Sequence, residues 1–140
     1  MRVLALVLLL TACTQAYSDN HFQIFDVNIF LDENCQLRLS TSTGTVSHNF
    51  KFESGGSCRI ITHANTSIPA TYFINGSYIL FVEKNHQEGD SCYSENTAFA
   101  INKKQQLLIT PVKKRSGSCF QSQELNAFEY FSTKLAPRAD

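Results

Sequence analysis

A chain of 140 residues with 12 Lys+Arg against 12 Asp+Glu has room for one hydrophobic core and carries no basic surplus to capture nucleic acid. Its first apolar run, residues 3–12, falls well short of the roughly 20 residues a membrane span needs, which excludes a transmembrane helix there. No zinc-ligand spacing of Cys and His occurs and no phosphate-cradling glycine loop is present, so neither a metal nor a cofactor is expected.

In chain order the first element is an export leader, with Met1 and Arg2 as a minimal n-region and residues 3–12 as the apolar h-region. Cleavage after Ala16 satisfies the small-residue rule and would release a soluble chain. The residues LTAC at 10–13 resemble the lipobox of bacterial lipoproteins: Leu10, two small residues, then Cys13. That resemblance implies a signal peptide of residues 1–12 and a diacylglycerol on the Cys13 thiol; residues 13–20, polar and without hydrophobic period, read as a tether, and 21–140 as a single β-rich domain. Thr14 stands where such lipoproteins carry Asp for inner-membrane retention, so the resemblance implies an outer-membrane anchor facing the periplasm.

Strand signals then recur at short intervals. In HFQIFDVNIFL, Phe22 and Ile24 share one alternation and Val27, Ile29 and Leu31 another, so a bulge or kink is expected near Phe25-Asp26. CQLRLST alternates through Leu37 and Leu39, and TVSHNFKFE through Val46, His48, Phe50 and Phe52. ESGGS reads as a turn. Asn75-Gly76 between two β-rich runs predicts a hairpin of residues 71–74 with 77–83, since both residues accept the positive φ of a type I′ turn. NHQEGDSCYSEN reads as a loop, and TAFAI with QLLITPV as a second hairpin around Asn102-Lys103-Lys104. Near the C-terminus Leu125, Phe128, Phe131 and Leu135 follow a helical spacing, with Ser122 as the expected cap, while FEYF at 128–131 reads equally as a closing strand. The fold class expected is mainly β: an antiparallel sheet of about eight strands, as a small barrel or sandwich, ended by either a C-terminal helix or a closing strand.

Cys35, Cys58, Cys92 and Cys119 follow the leader as an even set, read as two disulfides in an exported chain. Of three possible connectivities, sequence locality favours Cys35–Cys58 with Cys92–Cys119.

Residues for chemistry are sparse. His48 lies on the same alternation as Val46 and Phe50 and reads as a half-buried strand residue. Ser91 in GDSC lacks a nucleophile elbow, and no catalytic residue is assigned. Asn65-Thr66-Ser67 and Asn75-Gly76-Ser77 are N-glycosylation sequons that matter in a eukaryotic source. The stretch SIPATYFINGSYILFVEK loosely resembles a segment of bacterial c-type lysozyme inhibitor lipoproteins, where a serine, a tyrosine, a Gly-x-Tyr strand and a lysine line the inhibitory face. The matching positions are Ser67, Tyr72, Gly76, Tyr78 and Lys84, with two intervals one residue too long and no tryptophan in the chain. The resemblance implies a protein partner for this face.

Together these features lead us to expect a small envelope lipoprotein, not an enzyme. It would bind or inhibit a protein partner such as a lysozyme-like wall-degrading enzyme, and would touch the membrane only through its lipid. Exposed rings among Tyr72, Phe73, Tyr78, Tyr93 and Tyr130 would anchor that partner. The alternative is a secreted eukaryotic disulfide-rich glycoprotein carrying sugar on Asn65 or Asn75.

Overall fold

The computed structural model describes residues 20–53, 55–119 and 124–139. The leader, Cys13, nearly all of the expected tether and the expected helix cap Ser122 lie outside the described residues.

The first sheet is an antiparallel meander of β1 (His21–Ile24), β2 (Val27–Leu31), β3 (Gln36–Thr41) and β4 (Gly44–Asn49), in that order. Val27, Ile29, Leu31, Leu37 and Leu39 are buried, whereas Asn28 and Arg38 between them are exposed. This period of two marks a sheet covered on one face. Ile29 opposite Leu39 fixes the register, because a slip of one residue would turn the whole apolar set to water. The phase change at Phe25-Asp26 is neither bulge nor kink. Ile24 pairs with Val27, so Phe25 and Asp26 are the two central residues of a tight hairpin turn, at φ 49° and 62°. The β4 run is also shorter than its alternation suggested: it stops at Asn49, and Phe50 leaves the strand to enter the core.

The second sheet holds β5 (Cys58–Ile60), β6 (Tyr72–Ile74), β7 (Ser77–Glu88), β8 (Ser91–Asn102), β9 (Leu107–Ile109), β10 (Lys114–Ser116) and β11 (Ala136–Pro137). Its order is β11-β9-β8-β7-β5, with β6 also on β7 and β10 also on β8. The Asn75-Gly76 hairpin forms as expected. The expected loop around Gly89 does not: β7 and β8 pair without interruption from Ser77 opposite Asn102 to Glu88 opposite Ser91. Only Gly89 and Asp90 turn the chain. The strand signal is hidden there because the side chains this hairpin buries include His86, Ser94, Glu95, Asn96 and Thr97 rather than an apolar alternation.

The sheets do not close into a barrel. They pack as a sandwich over a core that joins Val27, Ile29, Leu37 and Leu39 to Ile60, Leu80, Val82, Phe99 and Ile101. The opposite face of β7 and β8 carries Ile79, Phe81, Ala98 and Ala100, and α1 (Leu125–Ser132) lies across it. The two alanines leave space for Phe128 and Phe131, whose rings meet Phe81 edge-on at 4.7 and 5.2 Å. Covered on both faces, residues 79–82 read as a continuous apolar run. The helix starts after Glu124, which makes no side-chain cap bond, and its exposed Leu125 does not join the buried stripe. Leu135 packs against that cluster from beyond the helix end.

The disulfides are Cys35–Cys58 and Cys92–Cys119, the local pairing. Cys35–Cys58 is buried and ties the β2–β3 turn to β5, one sheet to the other. Asn20, just before β1, reaches the same end: its side-chain oxygen accepts the Ile60 N–H at 3.1 Å. The chain therefore enters the domain at the Cys35–Cys58 end.

Candidate functional site

The up-and-down course of the strands sends four hairpin tips to the end opposite Asn20: residues 25–26, 42–43, 75–76 and 103–106. Each tip is shaped locally. Asn75 and Gly76 both take positive φ. The Asn102 side-chain oxygen accepts the N–H groups of Lys104 and Gln106 at 2.9 and 3.0 Å, and this Asx turn holds Gln105 at φ 60°. From there the Gln105 amide donates to the Phe25 carbonyl at 2.8 Å, stitching the tip of one sheet to the tip of the other.

That stitch sits under an aromatic cap. Phe73 and Tyr78 are cross-strand partners with rings 4.9 Å apart. Phe25 meets Tyr78 at 4.9 Å and Phe73 at 6.3 Å, and the Lys103 ammonium lies 5.5 Å above the Phe73 ring. Phe73 remains 47% exposed. A phenylalanine at positive φ costs about 1–2 kcal/mol, and strain of this kind gathers at binding and active sites. The ionic groups of this end, among the described residues of the tips and the segment after β11, are Lys103, Lys104 and Arg138 against Asp26. Cations dominate.

Beside the cap a groove of about 650 Å³ runs between β4 and the β9–β11 edge. The Arg138 guanidinium crosses it to donate to the Ser47 carbonyl, while the Arg138 N–H donates to the Leu107 carbonyl at 3.2 Å. Burial, and after it the Arg138 charge, holds His48 below the usual imidazole range.

Of the residues singled out in the sequence, Phe73, Tyr78, Asn75 and Gly76 belong to this end. Tyr72 faces the other side of β6, its ring 4.5 Å from that of Phe128. Lys84 shares a face with Tyr78 but lies near the middle of β7, opposite Cys58 and Glu95, beyond the buried Leu80 and Val82. Ser67 and Asn65 are exposed in the 62–69 loop. The structure thus spreads Ser67, Tyr72, Tyr78 and Lys84 over separate surfaces. Tyr93 stacks on His86 at 4.7 Å, and Tyr130 stands on α1 with the Lys114 and Lys134 ammoniums 4.8 and 5.6 Å from its ring. Phe25, Lys103 and Gln105 escaped sequence reasoning. Nothing local announces Phe25, and Gln105 lies 80 residues from the carbonyl it binds.

The far end holds the buried charges. Glu83 pairs with Arg59 at 2.9 Å, and Glu95 with Arg115 at 3.1 Å; Arg115 also pairs with Glu53. Burial by itself raises the Glu95 carboxyl, but the Glu53 N–H and the Arg115 guanidinium outweigh it, and its pKa lies below the usual value. Glu83 faces the helix side of the β7–β8 hairpin and Glu95 the sandwich side, so the two do not line one cleft. Among the described residues, no three His, Cys, Asp or Glu side chains gather as a metal site. Comparison of the chain with protein-family models, with curated proteins and with solved structures finds no match.

Proposed function

We propose that this protein is a binding module of the bacterial envelope, tethered through Cys13, and that its hairpin-tip end engages and inhibits a wall-degrading enzyme. The observation that carries the reading is the Phe25–Phe73–Tyr78 cap, three rings held at an exposed end by a strained turn and the Gln105 bond. Aromatic rings on rigid supports suit a protein interface, because they bring large contact area at small entropic cost. The course of the chain supports the tether. Residues 13 to 20 extend to about 24 Å at most and join the domain at the end remote from the cap, which leaves the cap facing away from the anchoring membrane. Glu33, Glu88 and Asp90 are exposed at the tether end, where an anionic lipid surface repels them.

The test is lysis of purified peptidoglycan by a panel of lysozyme-like enzymes, with and without the protein. Inhibition of at least one enzyme is expected, with Phe73→Ala weakening it by about tenfold or more, the scale of a truncated interface anchor. Absence of inhibition across the panel, or a Phe73→Ala protein as potent as the parent, overturns the reading.

A second reading, a secreted glycoprotein, draws on the exposure of both sequon asparagines in turns at positive φ. A glycan on Asn75 would stand beside Phe73 and Tyr78 and cover the cap, so the two readings use the same tip in incompatible ways. The intact mass of the protein from its native host separates them: a diacylglycerol on Cys13 supports the first, hexose on Asn65 or Asn75 the second.

A further inference from the structure

One outer strand of the first sheet is β4, and among the described residues its outward edge is met by the Arg138 side chain but paired with no strand. Exposed edges are usually blunted by lysine, proline, a bulge or a covering element. Residues 44–49 contain neither lysine nor proline, and their register with β3 is continuous from Thr41 opposite Gly44 to Gln36 opposite Asn49. Because Thr41 and Gly44 close the hairpin, the backbone groups of Val46 and His48 point to β3 and those of Thr45 and Ser47 point outward. The Ser47 carbonyl confirms this phase by accepting from Arg138. Among the described residues, no backbone bond joins Thr45 or Ser47 to a strand beyond β3.

The space beside this edge has a definite chemistry. Val46 lies on the core side, opposite the buried Leu39, yet is 42% exposed because the second sheet does not reach over it. Across the groove stand Leu107, Pro137, Lys104 and Arg138, and among the described residues its lining contains no carboxylate. A strand laid along β4 would bond to Thr45 and Ser47, cover Val46 with its inward side chains, and meet two cations.

We propose that the β4 edge is a strand-addition site for an extended acidic segment of a partner protein. Inward glutamate or aspartate side chains lay their stems on Val46 and place their carboxylates at Lys104 and Arg138. Arg138 then leaves the Ser47 carbonyl, which becomes free to accept an incoming N–H. Main-chain bonds supply the adhesion and the two cations the choice of partner. A second copy of this chain fits less well, since pairing two β4 strands about a two-fold axis sets Lys104 and Arg138 of one copy near those of the other. The inference rests on reading the domain as a protein-binding module, but it uses the groove and not the aromatic cap.

The probe is a fluorescein-labelled short peptide alternating threonine and glutamate, beside its threonine–lysine counterpart, titrated into the whole domain by anisotropy and by amide NMR. The acidic peptide is expected to bind with a Kd below about 1 mM and to shift the Thr45 and Ser47 amides, while the lysine peptide does not. Ser47→Pro removes one outward N–H and spares the β3 ladder, a position where an edge tolerates proline; it weakens binding about tenfold. Lys104→Glu with Arg138→Glu reverses the preference between the peptides, and this holds as a test even should the proline variant fail to fold. Equal binding of both peptides, no binding, amide shifts confined to other strands, or dimerisation through β4 overturns the proposal. Phe73→Ala leaves peptide binding intact, so a protein that binds the acidic peptide but inhibits no enzyme of the panel, or whose inhibition Phe73→Ala does not weaken, refutes the cap and not the edge.

Discussion

Replacing each disulfide by an alanine pair separates two effects that a bridge combines. The loops closed by Cys35–Cys58 and Cys92–Cys119 span 23 and 27 residues. In the chain-entropy model each is worth about 3 kcal/mol, and the two differ by only about 0.1 kcal/mol. Their surroundings differ far more. Cys35 and Cys58 are 1% and 2% exposed within the sandwich core, whereas Cys92 and Cys119 are half-buried at the remote end of β8. Removing two sulfurs from packed surroundings adds a cavity cost of about 1–2 kcal/mol. The Cys35→Ala/Cys58→Ala protein is therefore expected to lose about 4–5 kcal/mol and its counterpart about 3 kcal/mol. Against a total of about 5–15 kcal/mol for a domain of this size, the first variant stands at the margin of folding. Urea unfolding of both variants and the parent gives the comparison directly. Dithiothreitol should open Cys92–Cys119 first, because a thiolate must reach the sulfur it attacks. A Cys92→Ala/Cys119→Ala protein that loses as much stability as the other, or a buried bridge reduced first, would refute the assignment of core packing to Cys35–Cys58.

Gly56 sits at φ 108°, and a methyl group there would drive into the Asn85 carbonyl oxygen, whereas Gly55 has open space around it. Gly56→Ala is expected to cost about 1–3 kcal/mol with Gly55→Ala close to neutral, both read by the same urea titration. Glu95 gives the pH dependence. Its folded-state pKa lies below the ordinary 4.5, so the ionised pair stabilises fully at neutral pH, and that stabilisation is lost as pH falls through the folded value. Glu95→Gln should therefore be less stable than the parent at about pH 7, with the gap closing towards about pH 3. A gap that stays constant over this range would show that ionisation of Glu95 is not what the fold uses.

The legible parts of the fold are those where burial and apolarity coincide. Val27, Ile29 and Leu31 announce a one-faced strand, Asn75-Gly76 announces its own turn, and two cysteine pairs at short separation announce their bridges. The far half of the β7–β8 hairpin is illegible for a definite reason. Its interior positions are taken by Glu95, Asn96 and His86, and Glu95 is held by Arg115 and the Glu53 N–H, partners that no local pattern reveals. Phe128 and Phe131 fit a helical stripe and a closing strand alike, and nothing local marks the helix start, because Glu124 makes no side-chain cap bond there. The alternation through Val46 and His48 was visible as a strand. Its position at an open edge beside two cations depends on which strand ends the sheet, and alternation carries no information about that order.

The aromatic cap was illegible for a further reason, which bears on what it does. Two neighbouring tips of this domain are both turns with positive φ at their central residues, yet one is Asn75-Gly76 and the other Phe25-Asp26. The first is the dipeptide that favours such a turn. The second is not, and a phenylalanine there costs about 1–2 kcal/mol. Its ring contacts with Phe73 and Tyr78 return about 0.5–1.5 kcal/mol each, and its packing against the sandwich core adds to them, so contact offsets the strain. What Phe25 does provide is position: it braces Phe73 and Tyr78 from the opposite sheet while Gln105 holds its carbonyl. Under the proposed binding function, what the strained tip maintains is three rings fixed in place before a partner arrives.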